Sequence, residues 1–83
     1  MKRFSSMKAG YELIHSSGYY ERIVDELIIE FDDSLPYKFF KEKIRSNETI
    51  YDVEFYGSDK DISLPGTYRI TNVESQRVNL MKF

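Results

Sequence analysis

From residue 50 onward, apolar and polar residues alternate along the chain in three runs. Ile50 to Tyr56 sets Tyr51, Val53 and Phe55 on one side against Asp52 and Glu54 on the other, the period of two expected of a half-buried strand. Thr67 to Val73 places Tyr68 and Ile70 opposite Thr67, Arg69 and Thr71, and Arg77 to Phe83 carries Val78 and Leu80 on one face. Glu74-Ser75-Gln76 supplies a short reversal between the last two runs. Pro65-Gly66 suits a type II turn, with proline setting φ and glycine accepting φ > 0. The pattern predicts an antiparallel C-terminal meander.

The middle of the chain changes period. Asp32-Asp33-Ser34 offers cap residues and Pro36 falls in a first helical turn, where its missing N–H is harmless. A helix from Leu35 to Arg45 follows. At 100° per residue Tyr37, Phe40 and Ile44 form an apolar stripe, with Lys38, Lys41 and Arg45 as a narrow basic stripe beside it. Acidic caps at the start and Lys43 and Arg45 at the end both suit the helix dipole.

Tyr19 to Phe31 fits two periods. A helix would gather Tyr20, Ile23, Val24, Leu27, Ile28 and Phe31 on one face, whereas a strand alternates Leu27, Ile29 and Phe31 with Ile28 and Glu30. The β-branched content favours the strand for Leu27 to Phe31. Upstream, Met7 to His15 reads either as a short helix capped by Ser6 or, from Tyr11, as a strand paired with Tyr19 to Val24 across Ser16-Ser17-Gly18. Gly10 weakens the helix without excluding it. The first six residues look dispensable. The fold expected is a single α+β domain over residues 1–83, with the C-terminal meander packed against one central helix.

The segment Gly66 to Leu80, with its strand and turn spacing, resembles the closing hairpin of small SH3-like barrels. The resemblance implies a barrel fold and carries no functional residues with it.

Composition narrows the chemistry. A chain of 83 residues forms one core with little room for a deep cleft. Seven Tyr and six Phe supply much of the apolar area. There is no cysteine and a single histidine, His15, so nucleophilic thiols, thiolate metal sites and His-based triads lack their residues. We expect no enzymatic activity and no cofactor or metal. Net charge is −2 from twelve basic and fourteen acidic side chains, which gives no general field for nucleic acid or an anionic membrane. No apolar run approaches a membrane span. The lack of cysteine suits the cytosol, and Asn47-Glu48-Thr49 is a chance glycosylation match. The Lys, Ile, Tyr and Phe content is of the kind AT-rich genomes favour, which suits a phage or mobile element.

Elimination leaves binding to another protein, as a small regulator or inhibitor. The charge order supports it: Asp25, Glu26, Glu30, Asp32 and Asp33 precede Lys38, Lys41, Lys43 and Arg45, and adjacent patches of opposite sign dock complementary partners. Lys38, Lys41 and Arg45 with the five acids are the expected contacts, and Tyr37 the aromatic anchor. The plain alternative is that the acids cap and solvate while the bases line an ordinary helix face. A nucleic-acid accessory protein would use the same three bases, with sheet aromatics such as Tyr51, Tyr56 or Tyr68 stacking on bases. A self-associating subunit would pair through Val78 to Phe83, which is apolar on both faces. Asp59-Lys60-Asp61 is too short for a calcium loop, His15 lacks a partner, and Glu30 with Asp32 or Asp52 with Glu54 read as solvent-side charges of strands.

Overall fold

The computed structural model describes residues 1–57 and 61–83, so the Asp59-Lys60 part of the acidic loop lies outside the described residues. Along the chain run β1 (Lys2–Phe4), β2 (Ser6–Ala9), β3 (Glu12–Ile14), β4 (Gly18–Ile23), β5 (Glu26–Phe31), α1 (Tyr37–Arg45), β6 (Thr49–Tyr56), β7 (Ile62–Val73) and β8 (Arg77–Lys82). The strands form one antiparallel sheet in the order β1-β4-β5-β8-β7-β6-β2-β3. The domain is therefore mostly β, with one helix among the described residues. The predicted meander is present as β6-β7-β8.

The sheet curls into a half-barrel. Tyr20 of β4 and Phe55 of β6 stand near opposite ends of the strand order, yet their rings stack with centroids 4.0 Å apart. Phe4 packs against both, and edge-on against Phe31 at 5.9 Å. The curl follows from a broken alternation at the start of the chain. Phe4 and Met7 are both buried although three residues apart, so the period of two fails at Ser5. There the chain leaves β4 and joins β6, and the Ser5 N–H donates to the Tyr56 carbonyl at 2.7 Å. The opening residues, expected to be dispensable, thus form an edge strand and supply a core phenylalanine.

Alternation selects the core elsewhere: Leu27, Ile29, Val53, Phe55, Val78 and Leu80 are each under 2 % exposed, and the strand reading of Leu27 to Phe31 is the one adopted. On α1, Phe40 is fully buried, 5.9 Å from the Phe31 ring, while Tyr37 is only half-buried. The helix begins two residues later than expected. Asp33 Oδ1 accepts from the Leu35 N–H at 2.9 Å and Pro36 occupies the cap. It ends in a Schellman arrangement, with the Glu48 N–H on the Lys43 carbonyl, the Asn47 N–H on that of Ile44, and Asn47 at φ 53°.

Three further expectations are corrected. Met7 to His15 is neither a helix nor a partner for Tyr19 to Val24. It is the β2–β3 hairpin, turning at Gly10-Tyr11 with Gly10 at φ 65°, the sign a type II′ turn needs at its first central residue. Pro65-Gly66 is no turn, because β7 runs straight through it. The register shifts there instead: Tyr51 pairs with Thr67 and Val53 with Leu64, so Pro65 and Gly66 of β7 oppose Asp52 alone, and Asp52 adopts φ 55°. Asp52 Oδ1 accepts from the Gly66 N–H at 2.9 Å and pins that bulge. The inward phase of β6 changes across Asp52, so Ile50 rather than Tyr51 points inward, and Tyr51 is exposed. Finally, β8 is paired on both sides, by β5 and β7. It has no free edge through which a second copy could add, and the free ends of the sheet are β1 and β3.

Candidate functional site

The five acids expected to form one patch are spread along and beyond β5, from the Val24-Asp25 turn at one end to Asp32 and Asp33 at the other. The six residues of β5 separate Asp25 from Asp32, a span of roughly 23 Å. Most of these acids are engaged within the fold. Arg3 donates to both oxygens of Asp32, at 2.8 and 2.6 Å, and the Ser17 hydroxyl adds a third bond at 2.6 Å. These donors hold the Asp32 carboxyl at about 2, against an ordinary 3.8. The Asp32 carbonyl accepts from the Gln76 side chain, so one residue ties β1, the β3–β4 connection and the β7–β8 turn to the end of β5. Glu30 pairs with Arg77, Glu26 accepts from Asn79, and Asp33 accepts from the Leu35 N–H in the turn before α1. Only the Asp25 side chain makes no such bond among the described residues.

The bases behave differently. Lys38 and Arg45 are exposed and Lys41 is partly covered. None of the three forms an ion pair among the described residues. Lys43 instead pairs with Glu48 at 3.1 Å and lies 5.4 Å over the Phe39 ring. The acidic and basic runs are therefore not a matched pair of patches, since the acids meet Arg3 and Arg77 from distant strands. Tyr68, considered for base stacking, is a core residue 3 % exposed whose hydroxyl donates to the Leu64 carbonyl. Burial pushes its phenol above the ordinary range. Among the named aromatics Tyr51 is exposed and Tyr56 half-buried.

A different surface gathers exposed apolar side chains. Between β3 and the start of α1 lies an open hollow of about 270 Å³, walled by Leu13, Ile14 and His15 on one side and by Leu35, Pro36 and Phe39 on the other. A second hollow of about 300 Å³ continues past Phe39 to Tyr11, Tyr51, Lys43 and Glu48. Phe39 and Glu12 line both, so the two hollows are neighbours. Tyr11 is 96 % and Leu35 79 % exposed, and Leu13 and Tyr51 are close to half exposed. Leu13 and Leu35 thus border the first hollow, and Tyr11 and Tyr51 the second.

Sequence reasoning passed over these residues. Leu35 and Phe39, four apart, fall off the Tyr37, Phe40, Ile44 stripe, and that misplacement is a legible signal. Tyr51 was assigned inward because the change of phase at Asp52 has no marker in the alternation. Among the described residues no three His, Asp or Glu side chains are gathered as metal ligands would be, and no helix is long and apolar enough to cross a membrane. Comparison of the chain with protein-family models, with curated proteins and with solved structures finds no match in any of the three.

Proposed function

We propose that this chain is a small non-catalytic domain that binds another protein in the cytosol, as a regulator or inhibitor, through the face made by the β2–β3 hairpin and the start of α1. The observation that carries the reading is the set of exposed Tyr11, Leu13, Leu35 and Tyr51 around two neighbouring hollows that share Phe39. Aromatic and leucine side chains that lose water on contact dominate binding energy, and their exposure here contributes nothing to the fold. Lys38, Lys41 and Arg45, without an ion pair among the described residues, and the half-buried Tyr37 stand on the same helix but line neither hollow, and in this reading they are a second, separate contact. In this reading the acids Asp32, Glu30 and Asp33 serve the scaffold. That scaffold is an SH3-like barrel, a reading supported by the bent β1–β2 segment that bonds to β4 before Ser5 and to β6 after it, with α1 packed on the curled sheet through Phe40.

The test compares proteins retained from a native lysate by the wild-type chain and by Leu35→Asp, with nuclease present. Leu35 is exposed, so the variant should keep its fold, checked by its unfolding curve. A protein retained by the wild type and lost by the variant supports the reading. Equal retention by both, or retention that vanishes with nuclease, overturns it; the latter outcome points to nucleic acid.

A further inference from the structure

We draw no further inference here: the strongest candidate, the apolar surface of two neighbouring hollows between the β2–β3 hairpin and α1, bordered by Leu13, Leu35, Phe39 and Tyr51, is the binding face already proposed, and nothing in the structure shows what covers it.

Discussion

Tyr20 and Phe55, thirty-five positions apart in the chain and on strands that never pair, lie face to face with their planes 4° apart. This stack spans the hollow side of the curled sheet, so it reports closure rather than local pairing. Aromatic pairs contribute about 0.5–1.5 kcal/mol beyond their buried area. A double-mutant cycle with Tyr20→Leu and Phe55→Leu should return a coupling in that range by urea unfolding. Phe55→Ala alone should cost about 3–5 kcal/mol, since it also leaves a cavity among Phe4, Tyr20 and Val53. A coupling near zero would mean that the curl does not depend on these rings.

The Asp32 carboxyl makes acid stability predictable in direction. Its folded pKa of about 2 lies below the ordinary 3.8, so the ionised form is favoured by folding. That contribution is complete above pH 3.8 and fades as the pH falls toward 2. Asp32→Asn should melt below the wild type at neutral pH, and the two melting curves should converge in strong acid. Parallel profiles across the whole range would show that Arg3 and Ser17 do not stabilise the charge.

Val24 sits at φ 57° in the two-residue β4–β5 turn and is 81 % exposed. A β-branched residue there is a backbone outlier with no packing to offset it. Val24→Gly should raise stability by about 1 kcal/mol, read as a higher urea midpoint with an unchanged slope. A fall in stability would mean that the Arg22 side chain, which donates to the Val24 carbonyl at 3.1 Å, relies on the strained geometry.

Opposite the Pro65-Gly66 bulge of β7, Asp52 couples a left-handed backbone to a side-chain bond with Gly66. Asp52→Ala keeps the strain and loses the acceptor, and should cost about 1–3 kcal/mol. Asp52→Asn retains an oxygen and tolerates positive φ, so denaturant titration should find it much closer to the wild type.

How much was legible beforehand depends on whether an element obeys one period throughout. Leu27, Ile29 and Phe31, and Val78 and Leu80, alternate without interruption, and their strands and inward faces follow directly. The helix is readable from Pro36 and the Tyr37, Phe40, Ile44 stripe. Where the period slips, the reading fails: the alternation changes phase at Ser5 and at Asp52, turning Met7 inward and Tyr51 outward. The β2–β3 hairpin was missed because strands of four and three residues give too few alternations to count. The acidic run misled for a different reason. Charge order in sequence says nothing about which cation a strand will bring alongside, and Arg3 and Arg77 reach Asp32 and Glu30 from 29 and 47 residues away.

The place of β8 bears on when the domain can form. Residues 77–82 follow the other seven strands in sequence, and they are inserted between β5 and β7. Without them the strand order falls into two groups, β1-β4-β5 and β7-β6-β2-β3, each with an open edge where β8 belongs. Closure is therefore a single late event, which puts the domain among slow, non-local folders. It also puts the half-made chain at risk of pairing with the wrong strand.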